Sequence, residues 1–156
     1  LQIRNKKVIS IAIGSDEAGF PLKETIKKFL EDKGYQVTDY GAYDLNPVLY
    51  PNVAKEVALA ILGKKQERGI LICGTGIGMA MTANKIPGIR AAQCHDPYSA
   101  ERAKKSNDAQ IITMGARVIG PELAKVIVMA FLNAEGVSPT SIPKVNRIME
   151  IEKEMR

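Results

Sequence analysis

Arg68-Gly69-Ile70-Leu71-Ile72-Cys73-Gly74-Thr75-Gly76-Ile77-Gly78-Met79-Ala80 is the stretch on which the reading of this chain turns. Its apolar, β-branched run predicts a buried strand over residues 69–73. The glycines that follow let backbone N–H groups converge on an anion at the start of a helix expected over residues 77–85. A thiol leads directly into that turn. The glycines are spaced GxGxG after a third strand, unlike the GxGxxG that follows the first strand of a dinucleotide fold, and Met79 after Gly78 excludes a Gly-Lys-Ser/Thr phosphate loop. A cysteine phosphatase would also put a thiolate between strand and helix, but the arginine it needs six residues after the cysteine is replaced here by Met79.

Upstream, residues 8–14 predict a first strand, and Leu22, Ile26, Phe29 and Leu30 recur at helical spacing before Gly34. Residues 35–40 predict a second strand, Asn46-Pro47 a loop, and Val53, Val57, Ala60 and Ile61 the stripe of a second helix. Downstream, residues 89–94 predict a fourth strand, and Asp96-Pro97 opens a helix with an N-cap and a proline at its first position. Residues 109–114 predict a fifth strand. Gly120-Pro121 then opens a helix with Leu123, Val126, Ile127, Ala130 and Phe131 on one face. After an interruption at residues 138–143, Val145, Ile148, Ile151 and Met155 mark a last helix.

The alternation predicts an α/β fold: a single-domain Rossmann-like three-layer sandwich over residues 1–156, with a five-stranded parallel sheet and an extra C-terminal helix. Residues 1–7 are expected to be disordered, and residues 138–156 to pack on a partner subunit. Ligands are expected at the carboxyl ends of the strands, which carry Asp16-Glu17, Cys73-Gly74-Thr75, His95-Asp96 and Gly115-Ala116-Arg117.

With 156 residues, 46% hydrophobic and 25% charged, the composition suits one soluble domain. No apolar stretch approaches the length of a membrane span, and residues 1–7 are too short and polar for a signal peptide, so a cytoplasmic protein is expected. Neither cysteine belongs to a CxxC pair, which argues against a disulfide framework or a zinc site. The net charge of +5 raises nucleic acid as a partner. However, Lys23, Lys27 and Lys28 are interleaved with Glu24, Glu31 and Asp32 in the manner of a solvated helix face, and few aromatics are present to stack bases. No nucleic acid and no membrane are expected as partners; a small phosphorylated ligand uses the charge equally well.

A thiol beside a helix N-terminus is favoured as thiolate, so Cys73 reads as a base near neutral pH. The N–H groups of residues 74–78 would stabilise the oxyanion formed when a proton leaves carbon next to a carbonyl, each such donor being worth on the order of 3 kcal/mol of barrier.

The order Gly14-Ser15-Asp16, Tyr50-Pro51, Ile72-Cys73-Gly74-Thr75-Gly76-Ile77-Gly78, Ala83-Asn84-Lys85, Gly88-Ile89-Arg90, Asn107-Asp108-Ala109 and Gly115-Ala116-Arg117 resembles ribose-5-phosphate isomerase B and its relatives. The resemblance implies an aldose–ketose isomerase of sugar phosphates that needs neither cofactor nor metal. It implies a homodimer or dimer of dimers, each site completed by the neighbouring subunit. The sugar is ribose 5-phosphate or, within the wider family, a tetrulose phosphate or galactose 6-phosphate; a non-catalytic phosphate-binding module is the rival from another class. Carried over by position, Cys73 would move a proton between C1 and C2, and Thr75 with Gly74, Gly76 and Gly78 would line the anion hole. Asp16 and Tyr50 would hold hydroxyls, and Asn107 and Arg117 substrate oxygens or phosphate. Two imidazoles of many relatives are missing: Glu17 stands after Asp16, and Ser106 precedes Asn107. His95 is therefore the expected acid or base for ring opening. The arginine-rich phosphate grip near the C-terminus is replaced by Ser138-Pro139-Thr140-Ser141, leaving Lys144 as a point charge.

Overall fold

The computed structural model describes residues 8–156; the expectation for residues 1–7 lies outside them. The elements run β1 (Ser10–Ser15), α1 (Phe20–Asp32), β2 (Gln36–Asp39), α2 (Tyr50–Leu62), β3 (Arg68–Cys73), α3 (Ile77–Asn84), β4 (Ala91–Gln93), α4 (Pro97–Lys105), β5 (Ile111–Gly115), α5 (Pro121–Asn133) and α6 (Ile142–Glu154). The strands form one sheet in the order β2-β1-β3-β5-β4, and every pair is parallel. From β1 the chain steps outward to β2, then crosses back to β3. The connections after β1 and β3 therefore leave the sheet toward opposite faces, opening a crevice at the carboxyl ends of these two strands, where open α/β sheets bind ligands. Asp16 and Cys73 stand at its two sides.

Side chains alternate across the sheet. Ile11, Ile13, Ile70, Ile72, Ile112 and Met114 pack against the apolar faces of α1, α4 and α5. Ala12, Leu71, Cys73 and Ile111 pack against α2 and α3. Each buried isoleucine contributes roughly 1.5–3 kcal/mol of transfer free energy. The proline starts of α4 and α5 are as expected, and Asp96 caps α4 by accepting from the Ser99 N–H at 2.7 Å.

Two expectations, for β4 and for Lys23, are corrected. The fourth strand spans three residues, because the Ile89 N–H closes a turn onto Ile86 O and the Arg90 N–H goes to the Gln110 side chain rather than to a strand. Lys23 does not lie on a solvated face: its side chain is 0% exposed, on the same helical stripe as Leu22, Ile26 and Leu30. The stripe of α6 is only partly used within the chain. Val145 is buried, while Ile148, Ile151 and Met155 are exposed; the helix is tied down by the Gly88 N–H donating to Glu152 and by Arg90 reaching Met149 Sδ.

Candidate active site

Cys73 ends β3 and is 5% exposed. Its sulfur accepts the Gly76 N–H at 3.0 Å, a bond that strengthens when sulfur carries negative charge. Gly76 is the residue before α3, with φ +80, a region L side chains rarely adopt. A Cβ there would stand 2.8–2.9 Å from the backbone of Met114 in β5. This glycine is thus required first by the close approach of the turn to β5, and the buried Thr113 hydroxyl donates to Gly76 O at 2.7 Å to hold it there.

The other glycines have particular neighbours as well. A Cβ on Gly78 would meet the Tyr50 phenol at 2.4 Å, and one on Gly74 would meet the Arg117 guanidinium at 3.3 Å. Tyr50, at the start of α2, and Arg117, after β5, are therefore seated on the glycine turn that follows Cys73. Thr75 uses its hydroxyl to accept the Ile77 N–H at 3.2 Å, and its carbonyl accepts from Gln93 at 2.7 Å.

Asp16 adjoins the thiol through the main chain, its N–H donating to Ile72 O at 3.2 Å. Its Oδ1 accepts the Gly19 N–H at 2.9 Å. Glu17 reaches out to accept the Val48 N–H at 3.1 Å. Hydrogen bonds from its own backbone and from Val48 hold its carboxyl below the ordinary range, with Arg117 adding attraction. His95 Nε2 accepts the Gly115 N–H at 2.9 Å. A backbone N–H can only donate, so Nε2 is the unprotonated nitrogen and Nδ1 carries the hydrogen. In this geometry Nε2 is occupied by the Gly115 N–H and is not available to take a proton from a ligand.

Two residues are not brought to this crevice. Asn107 precedes β5, at the amino end of the sheet, where it lines a small cavity with Asn84, Arg90 and Ile148. Lys144 is exposed on the first turn of α6, whose leading segment is anchored at the same end by the Ser138 N–H to Lys105 O. Thr113, Gln93 and Lys23, which support the turn and the loops around it, were missed by the sequence reading. A hydroxyl and an amide inside short apolar strands, and a charge on an apolar helical stripe, are the signals that mark them. Among the described residues no group of three or more His, Cys, Asp or Glu is placed to hold a metal ion.

A family model described as Ribose/Galactose Isomerase matches residues 11–148. The chain belongs to this family. It is 59% identical over 144 residues to D-erythrulose-4-phosphate isomerase of Pectobacterium atrosepticum, covering 90% of this chain and 93% of the relative. It is 53% identical to Ribose-5-P isomerase B of Listeria innocua, covering 95% of this chain and all of the relative. The solved structure of Clostridium thermocellum ribose-5-phosphate isomerase B superposes with a TM-score of 0.92 at 43% identity, covering 95% of this chain and 100% of the other. By membership the chain is an isomerase of the ribose-5-phosphate isomerase B type, and its five-stranded parallel α/β sandwich is the fold of those structures.

Proposed function

We propose that the chain interconverts an aldose phosphate and its ketose, ribose 5-phosphate and ribulose 5-phosphate, through an enediolate with Cys73 as the base. The observation that carries this reading is a thiol whose sulfur accepts a backbone N–H at the head of α3, in the crevice flanked by Asp16. The thiolate takes the hydrogen from C2 as a proton, and the electrons of that bond form the C1–C2 double bond and place charge on O1. Return of the proton to C1, with transfer of the O2 hydrogen to O1, yields the ketose. The turn faces the developing oxyanion with the main-chain donors of Gly74, Thr75 and Gly78, the Gly76 and Ile77 N–H groups being taken by the Cys73 sulfur and the Thr75 hydroxyl. Asp16, Tyr50 and Glu17 hold hydroxyls, Arg117 attracts the anionic end, and His95 donates from Nδ1 to a sugar oxygen.

Asn107 and Lys144 reach the substrate from the neighbouring subunit of a homodimer or dimer of dimers, since their own chain carries them at the amino end of the sheet. No cofactor, metal or nucleic acid takes part, and the enzyme works in the cytoplasm, among pentose phosphate interconversions. Among the described residues no helix is long and apolar enough to cross a membrane.

A second substrate, D-erythrulose 4-phosphate, is favoured by Ser106 and by the 59% identical relative. A four-carbon sugar phosphate cannot close a ring through the oxygen that carries its phosphate, so it needs no ring-opening imidazole. The test is solvent deuterium exchange into both sugar phosphates with the parent and Cys73→Ala. The parent exchanges one carbon-bound hydrogen, whereas Cys73→Ala loses exchange by at least about 10³-fold and keeps ligand affinity within about tenfold, because the base acts in the transition state. Parent-level exchange by Cys73→Ala would reject the assignment. The substrate with the higher kcat/KM names the sugar.

A further inference from the structure

The Lys23 ammonium is sealed inside the protein between α1 and the segment after β2. Its Nζ donates to both carboxylate oxygens of Asp39 at 2.8 Å and to the carbonyl of Ala42. The rings of Phe20 and Tyr43 lie 5.2 and 5.5 Å from it. Withdrawing an ammonium from water costs several kcal/mol unless partners surround it, and an apolar side chain would fill the same stripe of α1 at less cost. What an apolar side chain could not supply is a donor to the Ala42 carbonyl. That carbonyl belongs to the segment that clamps the end of β1: the Ser15 N–H donates to Gly41 O at 2.5 Å, and the Ala42 N–H donates back to Ser15 O at 2.6 Å. The next residue is Asp16, whose N–H is bonded to β3 immediately before Cys73. Asp39 completes the frame by accepting the Gly41 N–H at 2.9 Å.

We propose that Lys23 is a positioning residue for the isomerase site: by fixing residues 39–42 against Ser15, it sets Asp16 relative to Cys73. The inference rests on the reading of Cys73 as the base and Asp16 as the carboxylate that holds the sugar beside it. A displacement of about 1 Å in such a group costs up to roughly 10²-fold in rate, so the effect belongs in kcat.

The experiment compares the parent, Cys73→Ala and the double variant Lys23→Met/Asp39→Asn, which removes both buried charges together. Each is assayed on the sugar phosphate that the parent turns over, at a temperature where circular dichroism shows it folded. For the folded double variant the expected result is a kcat lowered about 10- to 100-fold with KM within about threefold. Iodoacetamide should modify its Cys73 at a rate within about twofold of the parent, because the thiol is held by β3 and Gly76 rather than by Lys23. Parent kcat in the folded double variant, or loss explained wholly by KM, overturns the proposal. If that variant does not fold, Lys23→Met alone, which removes the donor to the Ala42 carbonyl while Asp39 keeps Lys27 and the Gly41 N–H, carries the same comparison; unchanged kcat there also overturns it. Parent-level activity of Cys73→Ala would instead reject the site reading itself.

Discussion

The two thiols of the chain are both buried but take opposite hydrogen-bond roles, Cys94 donating to Ala92 O and Cys73 accepting from Gly76, which makes them a direct probe of the site. Cys94 is 1% exposed, and burial, aided by the negative charge of Asp96, pushes its thiol up to about 12. At pH 8 roughly one Cys94 in ten thousand would be thiolate, and only the thiolate alkylates. Cys73 closes β3 at the carboxyl end of the sheet, and its sulfur receives the Gly76 N–H. Limited iodoacetamide treatment of the folded protein, followed by peptide mass mapping, is expected to modify Cys73 first, with substrate slowing the reaction. Modification at Cys94 ahead of Cys73 would contradict this assignment. The same residue scale shows what the sequence conceals: the pattern Gly74-Thr75-Gly76-Ile77-Gly78 marks a turn that brings donors to an anion. It does not reveal that Gly76 is demanded by the Met114 backbone, or that Gly78 makes room for Tyr50, since both neighbours come from distant parts of the chain.

At the scale of elements, legibility follows how locally a signal is written. The sequence of β1, β3 and α5 announces them through unbroken apolar runs and 3.6-residue stripes, and the cap of α4 through Asp96-Pro97, because propensity and capping act within a few residues. β4 reads too long, since Ile89 and Arg90 run without a break into Ala91-Ala92 in sequence but spend their N–H groups on Ile86 and Gln110. Lys23 reads as surface, since nothing nearby in the chain announces Asp39 sixteen residues on. The α1–β2 pairing so formed has a pH signature. Burial pushes the Asp39 carboxyl up, yet hydrogen bonds from Lys23, the Gly41 N–H and Lys27 more than offset it and leave it below its ordinary value. The unfolded chain therefore binds the proton more readily, and the stabilisation is fully present above about pH 4 and lost as pH falls through the lower folded value. Urea unfolding followed between pH 6 and pH 3 (roughly the span over which carboxylates titrate) is expected to show a smaller acid loss of stability for Asp39→Asn than for the parent. An equal loss in both would remove Asp39 from the acid response.

At the scale of the whole molecule, the decisive fact is that parallel strands have two unlike ends. Cys73, Asp16, His95 and Arg117 gather at the carboxyl end, whereas Asn107 and the start of α6 lie at the amino end. A strand of five residues spans about 17 Å, too far for either group to serve the other within one chain. Ile148 and Ile151 on α6, Met155 just after it, and Leu59 and Leu62 on α2 are exposed apolar side chains. If two copies share their sites, Cys73→Ala and Asn107→Ala should each be severely impaired as homodimers yet complement one another when co-refolded. In a mixed dimer one site then has both defects and the other has neither. Equal amounts assort into half mixed dimers, each with one intact site of two, so activity should recover to about a quarter of the parent value per chain in a symmetric dimer. Light scattering on the same samples checks that dimers have formed. Recovery near zero, with dimers present and each variant folded, would mean that every chain works with its own residues alone, and Asn107 would lose its place in the site.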